Sequence, residues 1–185
     1  MWRKLVTLMR FDGPKPNPLK ARPVPAATPL AETAFEPNPG NLRMFQYLPP
    51  ELEDGSKPGA PLVVILHGCG QTAGGYDLGA GWCQLADELG FAVLAAEQKA
   101  VNNPHTCFDW FNPEDITRDS GEAASIAAMI GTMVQTHRLD GRRVFITGLS
   151  AGGAMTSVML AVYPELFAGG AIIAGLPYGA AQNVR

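Results

Sequence analysis

The stretch from Arg143 to Tyr163 constrains the fold more than any other part of the chain, because its hydrophobic period changes abruptly at a serine. Arg143-Val144-Phe145-Ile146-Thr147-Gly148 is a β-branched and aromatic run suited to a buried strand. Ala151 to Tyr163 carries Ala154, Met155, Val158, Met159, Leu160 and Val162, reads as a mostly apolar helix, and stops before Pro164. Between them Gly148-Leu149-Ser150-Ala151-Gly152 requires a tight strand-to-helix turn, with small residues beside the serine where the backbone folds back. Such a turn lifts the Ser150 hydroxyl above the sheet as an exposed nucleophile. A G-x-S-x-G string arises by chance in a chain with 21 glycines, so the flanking strand and helix are what give it meaning.

A second signal lies upstream. Pro61-Leu62-Val63-Val64-Ile65-Leu66 is a continuous apolar run suited to a central strand covered on both faces, and His67-Gly68-Cys69-Gly70 follows it. Acyl transfer places negative charge on the former carbonyl oxygen, and fixed backbone N–H groups stabilise that charge without reorganising. One donor is expected from the amide of Ala151, just after the nucleophile, and the second from this loop: Cys69, with Gly70 as the alternative. His67 is expected to brace the loop by hydrogen bonding rather than to react.

Four segments in order now carry a resemblance. Leu66-His67-Gly68-Cys69-Gly70-Gln71, Asn103-Pro104-His105-Thr106-Cys107-Phe108-Asp109-Trp110-Phe111, Gly121-Glu122-Ala123-Ala124-Ser125-Ile126 and Gly148-Leu149-Ser150-Ala151-Gly152-Gly153 together resemble the polyhydroxybutyrate depolymerase family of esterases, itself related to feruloyl and acetylxylan esterases. The resemblance runs from about Leu42 to the end of the chain. It implies an α/β-hydrolase fold, a doubly wound, mostly parallel sheet. It also implies a Ser-His-Asp mechanism without cofactor or metal, an ester substrate that is commonly a short-chain polyhydroxyalkanoate or its oligomers, and an extracellular location. Both cysteine-bearing motifs belong to loops that the family places near the active site, so Cys69 and Cys107 are expected to pair if the protein is exported. Cys83, beside Trp82 in a short helix, reads as a buried free thiol.

One departure from the family is plain. The α/β-hydrolase order is nucleophile, acid, histidine, yet His67, His105 and His137 all precede Ser150, and the 35 residues after it contain neither His nor Asp. Glu165, at the far end of the helix after the serine, points away from it. The expectation is therefore a fragment of a longer hydrolase whose acid and histidine lie beyond residue 185, inactive alone on p-nitrophenyl butyrate. If the chain did supply its own base, His105 is the first suspect. Two other classes stay open: a feruloyl or acetylxylan-type carbohydrate esterase, and a non-catalytic hydrolase remnant serving as an interaction module.

The remaining elements alternate strand and helix, as a parallel sheet requires. Asn41 to Leu48 reads as an entering strand closed by Pro49-Pro50 and a polar turn through Gly59. Trp82 to Leu89 reads as a short helix capped by Gly90, and Phe91 to Ala96 as the next buried strand. Asp119 to His137 reads as a longer helix capped by Asp119 or Ser120, with Glu122 suited to its first turn. Ala171 to Ala174 is strand-like. The connection from Glu97 to Arg118, of 22 residues, is longer than ordinary loops. It carries Cys107, Phe108, Trp110 and Phe111, so it is either a site wall, with Trp110 and Phe111 lining the cleft, or a loop pinned to the domain by those rings.

Composition excludes other roles. A net charge of −3 with no basic cluster argues against nucleic acid, and no apolar run approaches the ~20 residues of a membrane span. No cysteine or histidine spacing resembles a zinc site. The amino terminus imitates a signal peptide, but its apolar stretch, Leu5 to Met9, stops at Arg10 and is too short. Residues 12 to 40 hold eight prolines and no apolar period, so residues 1–40 are expected to be an extended or disordered leader and residues 41–185 a catalytic domain incomplete at its carboxyl end.

Overall fold

The computed structural model describes residues 28–53 and 57–181. Strands β1 (Ala31–Thr33), β2 (Arg43–Tyr47), β3 (Leu62–Leu66), β4 (Ala92–Glu97), β5 (Val144–Leu149) and β6 (Gly169–Ile173) form one sheet in the order β1-β2-β4-β3-β5-β6. The β4-β3-β5-β6 portion is parallel, and β1 and β2 close one edge antiparallel. Helices α1 (Pro50–Glu53), α2 (Ala73–Ala80), α3 (Trp82–Leu89), α4 (Pro113–Ile116), α5 (Gly121–Thr136) and α6 (Ala151–Val162) connect them. The expected doubly wound, mostly parallel α/β arrangement is observed.

Alternation along each strand distributes the core to two faces. Leu62, Val64 and Leu66 of β3 join Val144, Ile146 and Leu94 beneath α5 and α6, where Ile126, Met129, Met133, Met155 and Met159 fill the space. Ile65 joins Val93, Ala95 and Phe91 beneath α2 and α3, against Tyr76 and Ala86. Both clusters are closed from solvent, so β3 and β4 are central strands, as their unbroken apolar runs require.

Three local expectations are corrected. The folded part begins before Asn41: β1 pairs with β2, and Thr28 donates to Asp77 at 2.7 Å, because Ala31-Glu32-Thr33 is free of proline and can complete a ladder. The signal-like segment and most of the leader, residues 1–27, lie outside the described residues. After Pro49 the chain turns through α1, whose Leu52 is buried, instead of a wholly polar turn. Finally, Ser120 occupies the N-cap of α5 but its hydroxyl donates to the Glu114 carbonyl. The Asp115 carboxylate accepts the Glu122 amide instead.

Candidate active site

Ser150 stands where β5 ends and α6 begins, at φ 56° and ψ −116°. This left-handed conformation is rare for a residue with a Cβ and is held by its surroundings. The Ser150 amide donates to the Ile173 carbonyl at 2.9 Å. A Cβ on Gly148 would meet the Gly152 carbonyl oxygen at 2.3 Å, and one on Gly152 would meet the carbonyl oxygens of Leu66 at 2.3 Å and His67 at 2.5 Å. The turn is therefore closed on both sides by backbone, and Ser150 itself is solvent-exposed.

The loop after β3 lies against this turn: a Cβ on Gly68 would sit 3.6 Å from that of Ser150. The Gly70 amide is taken by the His105 carbonyl at 2.8 Å, and the Gly68 amide by the Gln71 side chain at 2.7 Å. Among the described residues the Cys69 amide has no hydrogen-bond acceptor. Ala151 is the first residue of α6, where helical geometry leaves amides without an intrahelical acceptor. Of the two loop alternatives, Gly70 is thus committed elsewhere and Cys69 remains.

His67 is 1% exposed, and both its ring nitrogens are engaged. Nδ1 lies 2.8 Å from the Gly68 carbonyl, and Nε2 lies 3.1 Å from the Gln98 amide, which makes Nδ1 the donor and Nε2 the acceptor. Burial holds its pKa below the ordinary histidine value, against weaker opposing effects of the Gly68 carbonyl and Glu97. It braces the loop. His105 is exposed on the neighbouring loop, and His137 approaches Gln46 at the opposite, amino-terminal end of the parallel strands. Glu165 pairs with Arg118 on the surface.

The long connection after β4 closes over the loop after β3. A disulfide joins Cys69 to Cys107 with their Cα atoms 4.3 Å apart, and Cys83 is a buried free thiol whose pKa burial raises. Phe108 is fully buried, with its ring centroid 4.9 Å from that of His67. Trp110 packs partly against the main core and meets Phe111 edge-on at 5.5 Å. Phe108 thus pins the loop, Trp110 helps to pin it, and Phe111 remains partly exposed.

Two residues at this site were not singled out by sequence. Glu122, expected in the first turn of α5 for its charge, is buried, and its Oε2 accepts the Asp109 amide at 3.0 Å. Gln98, just after β4, donates from its side chain to Glu122 Oε1 and to the Cys107 carbonyl. Burial and the neighbouring Asp115 push the Glu122 pKa well above the ordinary carboxylate value. Asp109, Asp115 and Glu122 bring ligand atoms within 4.8 Å of one another, yet Asn103, Asn112 and Gln98 each donate to one of them. A polar pair, Gln98 and Glu122, at the ends of otherwise apolar elements was the signal available.

Known proteins bear on this site. A family model described as esterase PHB depolymerase matches residues 42–184. Poly(3-hydroxyalkanoate) depolymerase C of Paucimonas lemoignei is 49% identical over 150 residues, 81% of this chain and 35% of that protein. Acetylxylan esterase A of Aspergillus oryzae is 38% identical over 158 residues, 84% of this chain and 49% of that protein. The solved acetyl xylan esterase of Aspergillus awamori superposes with a TM-score of 0.75 at 32% identity, covering 81% of this chain and 53% of that one. This chain therefore spans from about a third to about half the length of these relatives. The fold is that of the α/β-hydrolases, and the chain belongs to the PHB depolymerase family of esterases.

Proposed function

We propose that the complete protein is a serine esterase acting on short-chain polyhydroxyalkanoate or its oligomers through an acyl-enzyme on Ser150. The observation that carries this reading is the strained, exposed Ser150 with the Cys69 loop packed against its turn. Ser150 Oγ attacks the ester carbonyl, and the amides of Cys69 and Ala151 take the developing oxyanion. The alcohol then leaves and water hydrolyses the acyl-enzyme. Phe111 and Trp110 form the apolar wall beside the acyl group.

We assign the general base to a histidine beyond residue 185, as the family order of nucleophile, acid and histidine implies. His67 has both ring nitrogens committed and His137 lies at the other end of the sheet, which leaves His105, exposed on the neighbouring loop, as the alternative within these residues. The polyester substrate is supported by the higher identity to the Paucimonas lemoignei depolymerase, and an acetylxylan or feruloyl substrate is the second reading, supported by the superposition on the acetyl xylan esterase. Export is supported by the Cys69–Cys107 disulfide, which an oxidising compartment maintains. Among the described residues no helix is long and apolar enough to cross a membrane.

Comparing 3-hydroxybutyrate oligomers, acetylated xylan and methyl ferulate as substrates of the full-length protein tests the assignment. Preferential release of 3-hydroxybutyrate, lost in Ser150→Ala, is expected. Preference for either carbohydrate ester selects the second reading, and turnover that persists in Ser150→Ala removes both.

A further inference from the structure

Glu122 is hard to explain as a fold residue. It is 1% exposed, and no Lys or Arg among the described residues forms an ion pair with it, while Asp109 and Asp115 add like charge nearby. A buried carboxylate without a cation is costly, and an apolar residue of similar volume often serves packing as well or better.

Its two oxygens hold two points of the connection after β4. Oε2 holds the Asp109 amide, one residue beyond the buried Phe108, at 3.0 Å. Oε1 holds the Gln98 side-chain amide, which also donates to the Cys107 carbonyl at 3.2 Å on the other side of Phe108. The Gln98 backbone amide then donates to His67 Nε2 at 3.1 Å, and His67 Nδ1 donates to the Gly68 carbonyl at 2.8 Å. Gly68 and Cys69 share one planar peptide unit, so fixing the Gly68 carbonyl fixes the direction of the Cys69 amide. The disulfide at Cys69 and Cys107 ties the connection after β4 to the loop after β3 a second time, beside the Gln98–His67 bond.

The geometry points to Glu122 as a positioning residue for the oxyanion loop: through Gln98 and His67 it aims the Cys69 amide, and through Asp109 it fixes the loop that carries Cys107. This rests on the reading of Ser150 as nucleophile and Cys69 as oxyanion donor.

Butane-1-boronic acid tests it on the full-length protein without requiring turnover. Ser150 Oγ adds to the trigonal boron as its proton passes to the histidine base, and the resulting tetrahedral boronate places an oxygen where the oxyanion sits. Titrations compare wild type, Ser150→Ala, Glu122→Gln and the reciprocal pair Glu122→Gln with Gln98→Glu. The pair restores one amide and one carboxylate between positions 98 and 122 and keeps an oxygen for the Asp109 amide, while giving up the Gln98 donor to the Cys107 carbonyl.

Wild type is expected to bind, and Ser150→Ala is not. Glu122→Gln is expected to bind about tenfold more weakly, a fraction of the loss from removing an oxyanion donor outright. The reciprocal pair is expected to recover part of that loss, the Cys107 carbonyl being left without its donor, while amide exchange at Ile65 and Ile146 stays unchanged. Should Glu122→Gln not fold, Gln98→Met breaks the same link and carries the comparison. Unchanged affinity in Glu122→Gln, or a loss of which the reciprocal pair recovers no part, overturns the proposal alone. Wild type binding no better than Ser150→Ala overturns the reading of the site, and the proposal with it.

Discussion

Gly152 lies directly against the backbone of His67: a Cβ at this position would stand 2.5 Å from the His67 carbonyl oxygen and 2.3 Å from that of Leu66. The start of α6 and the end of β3 therefore meet backbone to backbone, with no flexible side chain to give way. Gly152→Ala is expected to destabilise the fold by about 3 kcal/mol, the upper range for overpacking, lowering Tm by roughly 6–12 °C in a chain of this size. Gly131→Ala, in the interior of α5 where an added Cβ meets nothing within 4 Å, is expected to raise stability by about 0.5–1 kcal/mol. Thermal unfolding of the two variants checks both signs, and equal shifts would show that the close approach at Gly152 is absent in solution.

Ser150 combines a reactive position with an unfavourable φ of 56°. A non-glycine residue in a sparsely populated region costs on the order of 1–3 kcal/mol, and glycine adopts that region at little cost. Ser150→Gly is expected to be more stable than wild type by about 1 kcal/mol while losing all fluorophosphonate labelling and any esterase activity of the full-length protein. Urea unfolding beside a labelling assay measures the two effects. A destabilised Ser150→Gly would mean that the serine side chain contributes packing rather than strain.

The parts of this arrangement legible in the sequence are those written in short-range pattern. The period change at Ser150 announced β5, the turn and α6, and the unbroken apolar runs announced β3 and β4. Helix α2 was not legible, because Ala73-Gly74-Gly75-Tyr76-Asp77-Leu78-Gly79-Ala80 has three glycines and no apolar stripe; it is held by the Thr72 side chain at one end and by Gly81 at φ 74° at the other. The role of Glu122 was illegible for a different reason. Its partners Gln98 and Asp109 are 24 and 13 residues away, and only the closed loop brings them together. Strand β1 was hidden because proline content dominated its neighbourhood, although Ala31-Glu32-Thr33 itself contains none.

The Cys69–Cys107 disulfide closes a loop with a sequence separation of 38 and joins the oxyanion loop to the aromatic loop. In the chain-entropy account a closed loop of that length contributes ~4 kcal/mol by restricting the unfolded state. Cys107→Ala, which leaves the Cys69 amide in place, is expected to lose about 2–4 kcal/mol of stability. It is also expected to lower kcat of the full-length protein more than it raises KM. Dithiothreitol should reproduce the kinetic change in wild type and have no effect on the variant. Identical kinetics with and without reductant would assign the bond to stability alone.

Strand β6 hydrogen-bonds β5 along one edge, and its other edge has no partner among the described residues. Ile172 is 47% exposed, Ile173 46% and the neighbouring Phe145 40%. An open edge flanked by apolar side chains is a template for intermolecular pairing. The 185-residue chain is expected to self-associate with rising concentration, and Ile172→Lys to reduce association without lowering Tm by more than about 2 °C, as surface substitutions cost little. Sedimentation velocity over a concentration series checks this. A wild-type chain that stays monomeric throughout would show that the edge is protected.

His67 makes stability depend on pH with a definite sign. Burial holds its folded pKa below 6.5, while the unfolded histidine has the ordinary value. As pH falls through 6.5 the unfolded chain takes up a proton that the folded protein refuses, so stability present above 6.5 is lost as pH approaches the lower folded value. Glu122 acts in the opposite sense: its raised pKa favours folding at low pH, and that contribution fades as pH rises from 4.5 through the folded value. Comparing wild type with His67→Gln removes the first contribution and retains the second. The stability gap between them is expected to narrow as pH falls from about 7.5 to about 5.5, by up to about 1.4 kcal/mol per pH unit below 6.5. Urea unfolding at several pH values measures the gap, and a gap that holds constant or widens would mean that His67 is protonated as readily in the fold as outside it.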